Sequence, residues 1–258
     1  MNNLLSRRRF LVDGMLGAGM LALGGCDPLE RNADIDAVLQ SAETLTMRAQ
    51  RLLLRHRPLA RELSAADISP TFRVNGTQAP DSEEYAALRE SGFADWTLKV
   101  GGLVDRPLAL SLADLKKLPS RTQITRHDCV EGWSAIGKWT GVPLGLVLQA
   151  AGLQPAARFV VLHCADELEK TFDGSGRYYE SIDLIDAFHP QTILAYAMND
   201  SDLTVGHGAP LRLRVERQLG YKHAKYLMSI DVVDSFNGLW GGRGGFWEDR
   251  GYQWYAGI

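Results

Sequence analysis

The sequence predicts an α+β domain that contains mixed sheets and short helices and is preceded by a long N-terminal helix. Apolar residues recur at helical spacing over residues 30–56, whereas alternation of apolar and polar residues begins at Trp96. From there strand-like and helical segments alternate irregularly, without a repeat of about 33 to 45 residues. Nucleotide-binding folds gain no support, because the chain has neither a Gly-x-Gly-x-x-Gly sequence nor a phosphate-binding loop.

The composition is ordinary for a folded soluble protein. Of the 258 residues, 45% are hydrophobic and 23% are charged. These proportions argue against a disordered chain, a collagen-like chain and a polytopic membrane protein. The formal charge of −3 and a pI near 6.1 give no support to nucleic-acid binding through bulk charge, so no nucleic-acid partner is expected.

The N-terminal residues resemble an export signal. Residues 6–11, Ser-Arg-Arg-Arg-Phe-Leu, match a twin-arginine signal, and the apolar stretch 10–25 is too short for a spanning helix. Residues 23–26, Leu-Gly-Gly-Cys, resemble a lipobox. We therefore expect removal of residues 1–25, a periplasmic protein and lipidation of Cys26. A plain signal cleaved nearby and an ordinary N-terminal helix are the alternatives.

The long helix is predicted over residues 30–56 because Ile35, Val38 and Leu39 open a helically spaced apolar series that continues to the end of the segment. Pro58 stops it. Residues 26–66 are thus interpreted as a helical lead-in and residues 67–258 as one domain. Between residues 64 and 95 the periodicity is poor, which predicts loops with short elements.

The domain itself is predicted to alternate short strands and helices. The helix at 111–118 has Ser111 as its N-cap and ends at Pro119, and a second helix begins near Pro143 and ends at Gly152. The remaining segments are alternating or apolar runs. In chain order, strands are predicted at 96–104, 121–127, 158–164, 192–198, 211–215 and 225–233, and short helices at 111–118, 143–151 and 181–188.

The chain has three cysteines, Cys26, Cys129 and Cys164, so a fully paired disulfide framework is impossible. Cys129 follows a predicted strand and has charged neighbours on both sides. It is a buried apolar side chain, a soft-metal ligand or a nucleophile. The absence of Cys-x-x-Cys and His-Glu-x-x-His sequences disfavours zinc. A cysteine nucleophile would need a positioned histidine, and the chain offers several candidates, so this role stays possible. The candidates are His127, His163, His189, His207 and His223.

Residues 129–134, Cys-Val-Glu-Gly-Trp-Ser, followed by residues 139–144, Trp-Thr-Gly-Val-Pro-Leu, resemble the molybdenum-binding segment of the sulfite-oxidase superfamily. The similarity is strongest to its bacterial methionine-sulfoxide reductase branch and covers roughly residues 70–258. The resemblance implies that Cys129 gives a thiolate to the molybdenum of one molybdopterin per chain. A soft thiolate suits such a metal. Without a Cys-x-x-Cys-His sequence, no haem is expected.

Three further segments resemble the family's cofactor-binding motifs: residues 72–75, 207–212 and 220–225. The resemblance implies that an arginine holds the pterin phosphate, a role suited to a guanidinium. It also places Tyr178, ahead of the helix at 181–188, near the metal as a catalytic residue. Cys164 is interpreted either as a pterin neighbour or as a core residue. The cofactor-binding residues implied are Phe72, Arg73, Asn75, Cys129, Cys164, His207, Arg212, His223, Ala224 and Lys225.

The C-terminal residues and several tryptophans complete the expected pocket. The stretch 248–255 resembles the aromatic end of the reductases. Trp133, Tyr252 and Trp254 are expected to wall the substrate pocket, while core packing is the alternative for Trp133 and Trp254, as it is for Tyr178.

Two departures bear on the reaction. The arginine that precedes the motif's asparagine in sulfite oxidases is replaced by Val74, so anion recognition would fall to residues such as Arg126 or Lys138. The superfamily's dimerisation domain is not expected, which favours a monomer.

The predicted activity is oxygen-atom transfer that reduces a sulfoxide-type substrate, small or protein-bound. A membrane b-type haem subunit or a soluble cytochrome would exchange electrons. A sulfite-type dehydrogenase and a non-enzymatic lipoprotein binding module are the alternatives.

Overall fold

The computed structural model describes residues 33–53 and 59–258. The chain divides into two units at Leu53. The described part of the first unit is one helix, α1 (Ala33–Leu53), which lies within the 30–56 range for which a helix was predicted. The predicted signal, Cys26 and the helix stop at Pro58 lie outside the described residues. In the described ranges no helix is both long enough and apolar enough to cross a membrane.

The second unit, residues 54–258, contains two five-stranded sheets in its described part. The first has the strand order β2-β1-β10-β5-β6, with β1 and β10 parallel and the other pairs antiparallel. Its strands are β1 (Thr97–Gly102), β2 (Leu108–Ser111), β5 (Phe159–Glu167), β6 (Arg177–Asp183) and β10 (Leu227–Val233).

The second sheet is antiparallel and has the order β3-β4-β7-β8, with β9 also paired to β7. Its strands are β3 (Arg121–Asp128), β4 (Ser134–Pro143), β7 (Thr192–Met198), β8 (Ser201–Asp202) and β9 (Arg212–Val215). Four short helices connect the strands: α2 (Glu83–Glu90), α3 (Leu112–Lys117), α4 (Leu144–Ala151) and α5 (Leu184–Ala187).

The caps expected for the short helices are present. Ser111 accepts a hydrogen bond from the backbone amide of Asp114 at 3.1 Å, and the Asp114 carboxylate reaches back to Ser111, which forms a capping box. Helix α4 follows Pro143 and ends at Gly152, whose φ of 72° is a conformation that glycine adopts without strain. The predictions at 111–118 and 143–151 are therefore confirmed.

The prediction of a helix over 181–188 is wrong in its first half. Ser181 lies within β6 and pairs with Val161 of β5, and only Leu184–Ala187 is helical. The Asp183 side chain accepts from the Asp186 amide at 2.8 Å, so Asp183 is the N-cap and the helix begins at Leu184, three residues later than predicted. Tyr178, expected just ahead of that helix, therefore lies in a strand.

Strand β4 was not predicted. It carries Gly137 and Gly141, residues that are unfavourable in strands by propensity. At Gly141 an added Cβ would lie 2.2 Å from the Leu194 carbonyl oxygen of β7. The glycine is required because the two strands approach closely, a tertiary reason that single-sequence propensity does not contain.

The main apolar core packs against the first sheet. Its fully buried members include Leu98 and Val100 of β1, Leu162 of β5, and Leu144 and Leu148 of α4. Burying side chains of this size contributes about 1.5–3 kcal/mol each. This core supports the strands whose ends and connecting turns carry the candidate site.

Candidate cofactor and active site

One cavity of about 190 Å³, partly open to solvent, gathers most of the chemically distinctive residues of the second unit. It lies where the turn after β3, the end of β5, strand β6 and the turn before β10 meet. Its lining residues are Asn75, Gly76, Thr77, Cys129, Val130, Glu131, Asp166, Leu168, Tyr178, Gly220, Tyr221, His223, Lys225, Trp247 and Tyr252.

Cys129 is held by a tight turn at the end of β3. Its amide donates to the Trp133 carbonyl at 2.9 Å, and its carbonyl accepts from the Gly132 amide at 3.0 Å. Gly132 has a φ of 85° and so permits the turn. Burial, with Glu131 adding to it, raises the pKa of the half-buried thiol. The free thiol is therefore protonated at neutral pH, and a bound metal ion is what would stabilise its thiolate.

Tyr178 reaches the same cavity from β6. Its hydroxyl donates to the Tyr221 carbonyl. Burial, followed by the charge of Glu180, raises the pKa of the Tyr178 phenol well above its ordinary value. The side chain consequently stays neutral and keeps a proton that it can donate in a hydrogen bond.

Two cations lie buried beside the cavity without a carboxylate partner among the described residues. The Arg212 guanidinium donates to the carbonyls of His207, at 3.0 Å, and His223, at 3.3 Å, and its Nε has no partner. The Lys225 ammonium donates to the Gly206 carbonyl at 2.9 Å and to the Thr77 carbonyl at 2.5 Å. Burial lowers the pKa of Arg212 to about 9 and that of Lys225 to about 7. Such a pair favours an anion.

A buried histidine pair lies behind Gly220. The rings of His127 and His223 are 5.1 Å apart, and burial, with Arg214 adding to it, lowers both pKa values well below the ordinary value. Arg214 donates to His127 Nδ1 at 3.0 Å, which leaves the proton on Nε2. A Cβ at Gly220 would lie 2.6 Å from that Nε2, so only glycine fits there.

Other predicted cofactor residues lie farther from the cavity. Phe72 and His207 line a separate pocket, and their rings are 5.7 Å apart. Arg73 is exposed and lies over the Trp133 ring. Cys164 is buried in the apolar core, the alternative that the sequence left open. Ala224 contributes its carbonyl to the Leu213 amide at 2.8 Å.

Only one of the residues expected to bind an anion or to form the pocket wall lines the cavity. Arg126 pairs with Asp128 and Lys138 pairs with Asp200, and neither cation lines it. Tyr252 lines the cavity as expected. Trp133 and Trp254 do not; the Trp254 indole donates to the Ser181 hydroxyl at 2.8 Å.

The comparisons with known proteins decide the family. Residues 85–240 match the oxidoreductase molybdopterin binding domain family. A putative protein-methionine-sulfoxide reductase subunit, YedZ1, from Azospira oryzae is 35% identical over 252 residues, which cover 98% of this chain and 88% of that protein. The chain belongs to the molybdopterin-binding oxidoreductases of the sulfite-oxidase superfamily. It is therefore an enzyme, and the binding-module alternative is set aside.

Other members of this family match over part of their length. The protein-methionine-sulfoxide reductase catalytic subunit MsrP from Xanthomonas axonopodis pv. citri is 35% identical over 63% of this chain and 52% of the relative. The crystal structure of the sulfane dehydrogenase SoxCD from Paracoccus pantotrophus matches 55% of this chain and 39% of that one, at 23% identity and a TM-score of 0.48.

The cavity fits the family's cofactor. Lys225 is on its lining and Arg212 lies beneath, so their unpaired charges suit an anionic phosphate, while the Cys129 thiol suits a soft metal. Sequence reasoning missed five lining residues, Gly76, Thr77, Asp166, Leu168 and Trp247. Trp247 directly precedes the aromatic stretch 248–255, which was the available signal. Asp166 and Leu168 lie beyond the predicted end of β5 and had no local signal.

Proposed function

We propose that this molybdopterin-binding oxidoreductase reduces a sulfoxide by oxygen-atom transfer, so that a sulfoxide, two protons and two electrons give a thioether and water. One observation carries the proposal: a thiol, a neutral phenol and the Lys225 ammonium line one cavity, and the buried Arg212 guanidinium lies next to it, bonded to the carbonyl of the lining residue His223. Cys129 would ligate the molybdenum, and Arg212 and Lys225 would hold the phosphate, with Asn75 and His223 contacting the cofactor from the lining. The bound cofactor supplies two-electron exchange at the metal.

The protein's own residues position the substrate. Tyr178 would donate a hydrogen bond to the substrate oxygen, because its hydroxyl is neutral and its single proton can turn from the Tyr221 carbonyl to the substrate. Leu168, Trp247 and Tyr252 form apolar walls suited to the alkyl groups of a thioether.

The lining charges favour a neutral substrate over sulfite. The carboxyl groups of Glu131 and Asp166 line the cavity, the lining cation Lys225 would be taken by the cofactor phosphate, and Arg126 and Lys138 are paired elsewhere. Sulfite is an anion at neutral pH, so it would be repelled by these groups, while a sulfoxide is uncharged. This distribution supports the reductive direction.

The test is a pair of steady-state assays on protein purified from a host that makes molybdopterin. A reduced viologen with methionine sulfoxide measures reduction, and sulfite with cytochrome c measures oxidation. We expect turnover in the first assay and at least about 100-fold lower kcat/KM in the second. Robust sulfite oxidation without sulfoxide reduction would reverse the proposal. Apolar sulfoxides without an amino-acid group would show whether substrates other than methionine sulfoxide fit.

We also propose an exported enzyme with a separate electron donor. The twin-arginine-like residues 6–11 and the lipobox-like residues 23–26 support export and lipidation of Cys26, with residues 26–66 as a lead-in between anchor and domain. The donor would be a membrane b-type haem subunit or a soluble cytochrome. Replacement of Arg7 and Arg8 by lysine should retain the protein in the cytoplasm, measured by cell fractionation. Unchanged export would remove this proposal.

A further inference from the structure

A second cluster of buried charges lies directly behind the cavity wall. The Lys222 ammonium donates to the Glu180 carboxylate at 2.5 Å and to the Glu248 carboxylate at 2.6 Å. All three side chains are fully buried. Two carboxyl groups therefore share one cation in a low-dielectric setting, which is costly unless the geometry is closely maintained. We call these residues the Glu180–Lys222–Glu248 triad.

Each member of the triad lies within two residues, along the sequence, of a residue that lines the cavity. Glu180 lies two residues after Tyr178 on β6, so both point to the same face of the strand. Lys222 follows Tyr221 in the turn before β10. Glu248 follows Trp247 in the C-terminal segment. The triad thus joins the three chain segments that supply Tyr178, Tyr221 and Trp247 to the cavity.

The C-terminal segment is fitted closely around the triad. A Cβ at Gly245 would lie 1.9 Å from the Glu248 carboxylate and 2.9 Å from that of Glu180. The Phe246 amide donates to the Tyr179 carbonyl at 3.0 Å, and the Ser181 hydroxyl donates to the Gly244 carbonyl. Backbone contacts therefore bring the segment onto β6, and the triad fixes its orientation there.

We propose that the Glu180–Lys222–Glu248 triad positions the aromatic wall of the substrate cavity, which Tyr221 and Trp247 form. The three residues of the triad are then positioning residues for the reaction. The part of this inference that concerns substrate rests on the proposed sulfoxide reduction. None of the three side chains lines the cavity, so they act through the neighbouring Tyr221 and Trp247, whereas Tyr178 is held by the pairing of β6 with β5. Loss of the central cation removes the group that joins the two buried carboxyl groups, so the turn before β10 and the C-terminal segment are no longer held against β6.

The first test compares Lys222→Met with Glu248→Gln in the full-length holoenzyme. Lys222→Met should raise KM for methionine sulfoxide about 10-fold or more while kcat per bound molybdenum changes less than about 3-fold, because Tyr221 and Trp247 move, whereas the metal and Tyr178, which the pairing of β6 with β5 holds, do not. Glu248→Gln keeps an oxygen acceptor for Lys222 and removes the surplus negative charge, so its KM should stay near that of the wild type. Equal changes in KM and kcat, or an unchanged KM in Lys222→Met, would overturn the proposal.

A second variant, Gly245→Ala, removes no charge, so it tests the proposal even if Lys222→Met fails to fold. Gly245→Ala places a methyl group into the triad, whereas Gly238→Ala is a matched control because no atom lies within 4 Å of its added Cβ. Hydrogen exchange followed by mass spectrometry should show faster exchange, by about 10-fold, in residues 219–223 and 244–252 for Gly245→Ala only. Strands β1 and β10 should be unaffected.

The two readouts separate this inference from the proposed function. If the protein reduces no sulfoxide, the proposed function fails, but the exchange comparison still decides whether the triad holds the wall. Exchange that is unchanged in Gly245→Ala, or that rises uniformly through both sheets, would overturn the positioning role.

Discussion

Strands β1 and β3 both bury alternate side chains, but β1 buries Leu98 and Val100 whereas β3 buries Gln123, Thr125 and His127. The same contrast separates β1 from β9. Strand β1 packs in the apolar core, to which both sheets contribute, while β9 and the residue that follows it place Arg212, Arg214 and Glu216 at 0–4% exposure. Buried polar groups cost stability unless they are satisfied. Strand β1 therefore contributes apolar burial to the fold, whereas β3 and β9 carry buried polar groups that need partners.

Within the second sheet, the two buried arginines of β9 differ from each other. Arg214 donates to both carboxylate oxygens of Glu216, at 2.9 Å and 2.6 Å, and Gln123 donates to the same group at 2.9 Å. Arg212 donates hydrogen bonds to backbone carbonyls only, lies over the Trp139 ring at 5.0 Å, and has no partner for its Nε in the described residues. Arg214 is thus paired with a carboxylate of the protein itself, whereas Arg212 keeps a charge that an anion would neutralise.

The largest loss of stability is expected when the ion pair between Arg214 and Glu216 is broken. Arg214→Met leaves the buried Glu216 carboxylate without its cation and should lower the free energy of unfolding by about 3–5 kcal/mol. Chemical denaturation of the protein without cofactor measures this change. A loss below about 1 kcal/mol would show that the pair is not the stabilising contact of the second sheet.

An apolar substitution in the first sheet tests the other side of the contrast. Leu162→Ala removes a fully buried side chain of β5 and should cost about 2–5 kcal/mol of unfolding free energy. Because Leu162 belongs to the apolar core and does not line the cavity, the molybdenum content per folded chain should stay at the wild-type value. A selective loss of molybdenum would contradict the separation between the apolar core and the cofactor cavity.

The cavity makes a further prediction about pH. Burial raises the pKa of the Asp166 carboxyl to about 6 from an ordinary value of 3.8. Because the folded state binds this proton more tightly, its contribution to stability is complete below about pH 4 and is lost as pH rises to about 6. The loss amounts to at most about 3 kcal/mol. Asp166→Asn should flatten the pH dependence of thermal unfolding over that range, and an unchanged profile would refute the assignment.

The smallest stability effect is expected at the unsatisfied arginine. Arg212→Met removes a buried charge that has no carboxylate partner, so the protein without cofactor should be no less stable than the wild type. Cofactor affinity should nevertheless fall about 10- to 100-fold, the value of a charge-assisted hydrogen bond to phosphate. Molybdenum content after extended dialysis measures the loss. Full retention would mean that the phosphate binds elsewhere.

Local sequence patterns predicted much of the fold. Ser111, Pro143 and Gly152 gave correct helix ends because caps depend on adjacent residues. Strand β4 and the strand position of Tyr178 were missed, since they depend on how distant strands pair.

The candidate site shows the same limit. Cys129, Asn75, Tyr178, His223 and Lys225 were predicted and line the cavity. Their segments carry short motifs, which a single sequence displays. Trp247, Asp166 and the Glu180–Lys222–Glu248 triad were missed because each gains its role from contacts across the fold. Phe72 and His207 lie in predicted motifs but line a separate pocket.

The central claim is that the Cys129 thiolate binds the molybdenum of the cofactor. Molybdenum X-ray absorption on the wild type, Cys129→Ser and Cys164→Ser tests it, with metal content measured on the same samples. The wild type should hold about one molybdenum per chain, and Cys129→Ser should show one sulfur ligand fewer per bound molybdenum. Cys164→Ser, a substitution in the apolar core, should keep the wild-type sulfur count. An unchanged count in Cys129→Ser, or a wild-type chain without molybdenum, would contradict the account.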